Sequence, residues 1–261
     1  MALESRLFLI ASLPAALISL YSLGIELGGT SWLSLLGISL VVGRLWAELF
    51  SRRRGLPLDG GWILTAWLFS LLLPATVPLG FAALGLSFGL VFGCHVFGGT
   101  GRYLVNPALL GVVFLAISYP PLITVAEGGT AHSIASLLGA IFLIATRAVS
   151  ARLVGGALAA ILIGSLVSGQ PWLSHLLLGH FAFVLAFVAT DPTTRPATAG
   201  GCWAFGALFG MLTIVLRTLD PVHPEGTLPA LLLASLCVPL IDHIARVLPS
   251  KARHASAGGD T

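Results

Sequence analysis

Charge is what this chain has least of. Only 9% of its 261 residues are Asp, Glu, Lys or Arg, against about 25% in a soluble domain. With 57% of residues hydrophobic and a mean hydropathy of +1.00, an ordinary water-soluble globule is excluded. So much apolar surface cannot be hidden from water, and a lipid bilayer is the expected solvent. Cysteine is almost as scarce. Cys94, Cys202 and Cys237 are scattered, with no CxxC pair. That argues against a disulfide framework or an iron–sulfur cluster and for buried thiols. No GxGxxG nucleotide fingerprint is present, so electrons or phosphates handled here would have to come from a partner. The net charge of +3 and pI near 9.1 do not signal nucleic acid, because the basic residues sit at the ends of apolar runs, as in membrane topology. No small-residue cleavage site follows the apolar run after Arg6, so the first helix is expected to be retained.

What is present is a succession of ten apolar segments, about 7–27, 31–50, 62–77, 80–97, 104–118, 133–149, 153–168, 172–190, 200–217 and 228–246. Several fall short of the roughly 20 residues a full crossing requires, so some are expected to be half-helices. With an even number of crossings, Arg6, Arg52–Arg54, Arg102, Arg147, Arg152, Arg195, Arg246, Lys251 and Arg253 all fall on one side. Glu26, Glu127, Asp220 and Glu225 fall on the other, with Arg217 the cation near them. The positive-inside rule then puts both termini in the cytoplasm of a bacterial-type inner membrane.

The chain also reads as an internal duplication dividing near residue 125. "LLLPATVPLGFAALGLSFG" (Leu71–Gly89) matches "AFVATDPTTRPATAGGCWAFG" (Ala186–Gly206) as apolar run, Ala-Thr, Pro, then a Gly-rich helix. "GGTGRYLVNPALL" and "PVHPEGTLPALLL" both contain Gly-Thr and end in Pro-Ala-Leu-Leu. An odd number of crossings per half puts matched loops on opposite sides, which is the inverted repeat of many transporters. The division is 1–125 and 126–249, with 250–261 as a flexible cytoplasmic tail able to meet anionic lipid.

Pro and Gly inside such segments free backbone groups that cannot face lipid unpaired. A helix restarting at Asn106-Pro107 points its positive end back at "GGTG" (Gly98, Gly99, Thr100, Gly101), whose successive amides suit an anion. A plain re-entrant turn is the competing reading. Asp191 ends an apolar run in "DPTTR" (with Thr193 and Thr194). It is expected to cap the next half-helix, to pair with Arg195 or Arg102, or to receive a cation. His175 and His180 would lie on different faces of one helix, which disfavours a haem between them.

"FGLVFGCHVFGGTGRYLVNPALLG", then "FVATDPTTRPATAGG", then "HPEGTLPALLLASLCVPLIDH" together resemble the NqrB/RnfD family, membrane subunits of the sodium-pumping NADH:quinone reductase and of the Rnf complex. The resemblance extends to Leu58–Gly80 and covers nearly the whole apolar core in order. It implies an all-α polytopic membrane protein, about ten transmembrane segments in a 5+5 inverted repeat with interrupted half-helices, similar to the ammonium/urea-channel architecture. It implies a subunit that works with other membrane subunits of an Rnf/Nqr-like complex and carries electrons through flavin, coupled to Na+ or H+ movement. Family members attach FMN by a phosphoester to a threonine in a Ser-Gly-Ala-Thr-like motif on the extracytoplasmic side after the fifth helix. "AEGGTAHS" (Ala126–Ser133) stands in that place, making Thr130 the candidate attachment oxygen. Gly98–Gly101, Asn106, Asp191, Thr193 and Thr194 become candidate contacts for a second flavin or a cation. The sequence departs from the family in three places: Glu-Gly-Gly-Thr replaces Ser-Gly-Ala-Thr, the stretch after Tyr119 is shorter, and Tyr103 stands where the family carries Asn. The long N-terminal extension of larger members has no counterpart. Those departures keep two other functions open, a small-solute channel and a cofactor-free scaffold subunit.

Overall fold

The computed structural model describes the backbone over residues 3–27, 30–55, 57–58, 60–120, 130–177, 179–219 and 226–257, and side chains over 5–21, 32–55, 57–58, 60–120, 130–177, 179–219 and 226–247. Among these residues every regular element is a helix. Glu26, Glu127, Asp220 and Glu225 of the expected acidic side lie outside the described side chains.

Twelve α-helices follow in order: α1 (Leu3–Leu27), α2 (Thr30–Arg54), α3 (Gly61–Leu72), α4 (Leu79–Phe88), α5 (Pro107–Ser118), α6 (Thr130–Ala145), α7 (Ala151–Ser168), α8 (Trp172–Leu177), α9 (Phe181–Phe183), α10 (Ala199–Leu219), α11 (Thr227–Leu236) and α12 (Val238–Ala257). Wider π-helical turns extend α4 through Gly89–His95 and α9 through Val184–Val188. The breaks have local causes. Pro74 stops α3, because the residue before a proline is pushed out of helical geometry; Leu73 is extended, at ψ 139°. Asn106 and Pro107 start α5, with Pro at the first position, where its missing N–H costs nothing. Pro239, whose ring crowds the carbonyl of Ser235, accounts for the 47° bend between α11 and α12.

Among the described residues, three helices are long and apolar enough to cross a bilayer, Trp32–Arg54, Ala151–Ser168 and Ala199–Leu219, or four if α11 and α12 form one bent crossing. The bounds of the expected segments are corrected in several places. Segment 104–118 begins its helix only at Pro107. Segment 172–190 is not one helix, since a turn at Gly179 (φ 62°) and His180 separates α8 from α9. Helix α12 runs on to Ala257, into the expected tail 250–261, where Ala, Lys and Arg favour helix.

Side-chain contacts fix how the helices run. Trp32 Nε1 donates to the Ser70 carbonyl at 3.1 Å and Trp46 Nε1 to Ser87 Oγ at 2.9 Å, so α2 runs antiparallel to α3 and parallel to α4. A Cβ on Gly206 would lie 2.1 Å from the Leu153 carbonyl, and one on Gly210 2.6 Å from that of Ala157. Helices α7 and α10 therefore run parallel, with small residues letting their backbones touch. Helices α1 and α6 are antiparallel, with Ser19 against His132 at 3.1 Å and Gly139 against the Ala11 carbonyl. In the middle, every residue from Phe181 to Thr190 is buried, with Phe181, Phe183 and Phe187 at 0% exposure.

Candidate functional site

Two interrupted segments meet at one end of this bundle. The first is the loop from the π-turn of α4 to α5. Gly98, Gly99 and Gly101 all have positive φ, at 115°, 103° and 84°, a conformation that side chains other than hydrogen rarely accept. The Gly98 and Gly99 amides donate to the His95 and Cys94 carbonyls at 3.2 and 3.0 Å. They finish the preceding helix, so these two amides do not cradle an anion. Asn106 then caps α5: its Oδ1 accepts from the amides of Ala108 and Leu109 at 3.0 and 3.4 Å.

The second interruption follows the buried α9 segment and carries Asp191, 7% exposed. Its Oδ2 accepts from Asn106 Nδ2 at 2.9 Å and from the Tyr103 hydroxyl at 3.0 Å, and its Oδ1 accepts from the Thr193 amide at 2.9 Å. These contacts revise the expected roles of Asp191. It closes its own turn rather than capping α10, which starts at Ala199 with Thr198 Oγ1 accepting from the Gly201 amide at 3.0 Å. Burial pushes the Asp191 carboxyl above the usual carboxylate range, against the pull of its bonds from Thr193, Tyr103 and Asn106. Burial likewise raises the Tyr103 hydroxyl, helped by the adjacent Asp191 charge. Tyr103 therefore stays a neutral donor. The residue that departs from the family pattern supplies one of the bonds holding the carboxylate.

Two cavities adjoin here. One, of about 210 Å³, is lined among others by Thr65, Thr100, Gly101, Tyr103, Asn106, Asp191 and Thr193. The other, of about 300 Å³, lies beyond Thr65 and Thr100, which line both, and is walled by Phe50, Arg54, Trp62, His95, Gly98, Gly99 and Arg102. Phe50 and His95 stack at 4.4 Å with ring planes 6° apart, and the Arg54 guanidinium lies 5.2 Å from the Phe50 ring centre while donating to the His95 carbonyl. An aromatic wall beside two guanidiniums suits a flat ring system carrying negative charge, and the volume is at the lower end for ligand pockets, about 300–1,000 Å³.

Of the residues singled out in the sequence, Thr100, Gly101, Asn106, Asp191 and Thr193 come together at the smaller cavity, while Gly98 and Gly99 face the larger one. Thr194 is buried, its amide donating to the Asp191 carbonyl at 3.2 Å, and lines neither. Thr130 stands apart. It is the exposed first residue of α6, and the rest of its expected motif, Ala126–Gly129, lies outside the described residues. Ser5 borders the Asp191 cavity, whereas Ser19 meets His132, two residues beyond Thr130. At 1.5 Å per residue along α1, those two levels are about 20 Å apart.

Local patterns did not reveal Phe50, Arg54, Trp62 and Thr65 as lining residues, since they belong to apolar segments or to the arginine run that reported only sidedness. Nor did they show His132, which the fold sets with its ring centre 6.4 Å from that of His180. Among the described residues no group of three or more His, Cys, Asp or Glu side chains is placed to hold a metal ion, and Cys94, Cys202 and Cys237 form no disulfide.

The family model described as NQR2, RnfD, RnfE matches residues 4–127 and 122–250. Among curated proteins, the chain is 36% identical to NqrB, a subunit of the Na(+)-translocating NADH-quinone reductase, from Chromohalobacter salexigens, over 83% of this chain and 66% of that one. It is 34% identical to the same-named protein of Stutzerimonas stutzeri, over 83% and 67%, and 33% identical to that of Yersinia pestis, over 88% and 70%. The chain thus spans about two-thirds of the length of these relatives.

Proposed function

The chain belongs to the NQR2, RnfD, RnfE family, and from that premise we propose that it is a membrane subunit of an Nqr/Rnf-type electron-transport complex that passes electrons through flavin, coupled to movement of Na+ or H+. Its partners are the other membrane subunits of that complex. The observation that carries this reading is the meeting of two broken segments around Asp191, Asn106 and Tyr103, beside a cavity walled by Phe50, His95, Arg54 and Arg102.

A flavin supplies one- and two-electron transfer. The residues fit one: Phe50, His95 and Trp62 offer apolar and aromatic surface, and Arg54 and Arg102 answer negative charge. Thr130 is the place for a covalent FMN, since its exposed position leaves the hydroxyl open to a transferase. Tyr103 and Asn106 donate to the Asp191 carboxyl, and all three line the smaller cavity. The fold of this reading is ten crossings in a 5+5 inverted repeat. It is supported by the parallel pairs α2 with α4 and α7 with α10 and by the antiparallel pair α1 with α6. Arg54, Arg102, Arg152 and Arg195 lie at the Asp191 end, which the positive-inside rule assigns to the cytoplasm, with both termini. The fully buried Phe181–Thr190 segment blocks the middle of the bundle, which weighs against an open small-solute channel.

The test is mass spectrometry and flavin fluorescence on the protein extracted from membranes with its partners. We expect a mass increment of one FMN phosphoester on the Thr130 peptide, absent in Thr130→Ala, and a releasable flavin lost on Arg54→Ala. A colourless, unmodified protein that still assembles would overturn the flavin reading in favour of a scaffold.

A further inference from the structure

The turn that holds Asp191 has a second face, and it opens on a different cavity. This one, about 610 Å³, lies where the N-terminal ends of α7 and α10 meet the start of α12. Arg152 and Arg195 both line it, with Ser150, Thr198, Cys202 and Asp242. Ser150, at the start of α7, makes no side-chain capping bond, so no hydroxyl competes there for the positive end of that 18-residue helix. Asp242 is the carboxylate in the lining, one acid against two guanidiniums. Its oxygens accept from the Ala197 amide at 3.1 and 3.2 Å, and Arg246 stands 3.8 Å away. The cavity is therefore net cationic.

Its surroundings indicate what fills it. Trp203, in the first turns of α10, packs over Gly155 of α7 and remains 48% exposed. An exposed tryptophan near the end of a long apolar helix marks the level of lipid headgroups. From α12, Val238 and Pro239 add apolar atoms to the lining beside Asp242. Basic pockets between membrane helices take anionic headgroups, and this volume is far larger than a free phosphate needs.

We propose that this cavity binds the phosphodiester headgroup of an anionic phospholipid, held by Arg152 and Arg195, with the acyl chains running past Trp203. The site stands on its own geometry and needs no flavin in the chain.

The experiment is native mass spectrometry and thermal unfolding of the full chain in detergent, with phosphatidylglycerol, phosphatidylcholine or inorganic phosphate added. Phosphatidylglycerol should be retained over phosphatidylcholine by about 25-fold, the factor two guanidiniums contribute at a headgroup, and R152Q/R195Q should abolish that preference. D242N, which removes the opposing carboxylate, should strengthen retention, so the idea stays testable if the double variant misfolds. Equal retention of the two lipids overturns the proposal, as does a D242N variant that binds no better. Stabilisation by inorganic phosphate equal to that by the lipid would reduce the cavity to a simple anion site. Displacement of the lipid when partner subunits assemble would assign the face to a protein.

Discussion

Replacing Asn106 tests the candidate site most directly, because one side chain serves two structures. Its Oδ1 caps α5, and its Nδ2 donates to Asp191 at 2.9 Å. Asn106→Ala removes the cap, which costs about 1 kcal/mol. It also strips a buried carboxylate of one of its donors, and a hydrogen bond to a charged group is worth about 2 kcal/mol. Together the loss is about 3 kcal/mol, or a fall in Tm of about 5–10 °C for a chain of this size. Asn106→Asp separates the two parts. It keeps the cap, and a carboxylate suits a helix start, but it sets a second acid against Asp191 Oδ2. Its Tm should therefore lie below wild type at neutral pH and recover in mild acid, where one proton bridges the pair. The assay is thermal unfolding in detergent across pH, followed by tryptophan fluorescence. In a double-mutant cycle with Asp191→Asn, the coupling should be about 1–2 kcal/mol. A shift under about 2 °C for Asn106→Ala, or additive single and double variants, would refute the claim that the two broken segments are tied through this residue.

Other substitutions probe the rest of the frame. Because burial raises the Asp191 carboxyl, the native state holds that proton more tightly than the unfolded chain. The group's contribution is full below the ordinary carboxylate value and is lost as pH rises through the raised native one. The Tm of wild type relative to Asp191→Asn should accordingly fall between mild acid and neutral pH, and a flat difference would contradict it. Tyr103→Phe keeps the ring but removes a donor to Asp191, and should lower Tm by an amount equivalent to about 1.5–3 kcal/mol. Gly206→Ala drives a Cβ to within 2.1 Å of the Leu153 carbonyl and should cost about 1–3 kcal/mol as overpacking; Gly200→Ala, with open space around it, should be tolerated, and the pair is read by yield of folded protein. Arg217 donates to the His175 carbonyl at 2.7 Å and to Thr227 Oγ1 at 3.0 Å. Arg217→Lys should lose about as much stability as Arg217→Gln, since an ammonium lacks the fork that spans both acceptors.

How much of this was legible in the sequence differs by kind of feature. Pro74 and Pro239 stop and bend helices inside the expected segments 62–77 and 228–246; of the breaks written in Pro, Gly and Asn, that at Asn106-Pro107 was read from the sequence. The break at Gly179-His180 was not, because Leu-Gly-His inside an apolar run looks like the tolerated glycine of a membrane helix. Asp191 and Asn106 were both singled out, yet their bond spans 85 positions of sequence, and nothing local encodes such a pairing. The same holds for Phe50, Trp62 and His95, which share a cavity wall only because α2, α3 and the π-turn of α4 converge there. Arg54 was read for sidedness, and its position over the Phe50 ring shows that a topology signal can also line a site.

The electrostatics of Asp191 explain why the two interruptions need each other. The carboxylate sits at the C-terminal end of its own buried segment, where the helix dipole is negative, and burial alone opposes its charge. A π-helical turn and three fully buried phenylalanines provide no relief. What opposes this is imported from the other interruption: the Tyr103 hydroxyl, the Asn106 amide, and the positive N-terminal end of α5 that Asn106 itself caps. If the loop before α5 were instead a continuous helix, the free N-terminal amides there would be spent on its own backbone, and Asp191 would lose the positive helix end from its support. A ligand in the shared cavity therefore meets a carboxylate whose proton affinity depends on how firmly two chain breaks are held together. A group that displaced Tyr103 or Asn106 on binding would raise that affinity further and draw a proton in.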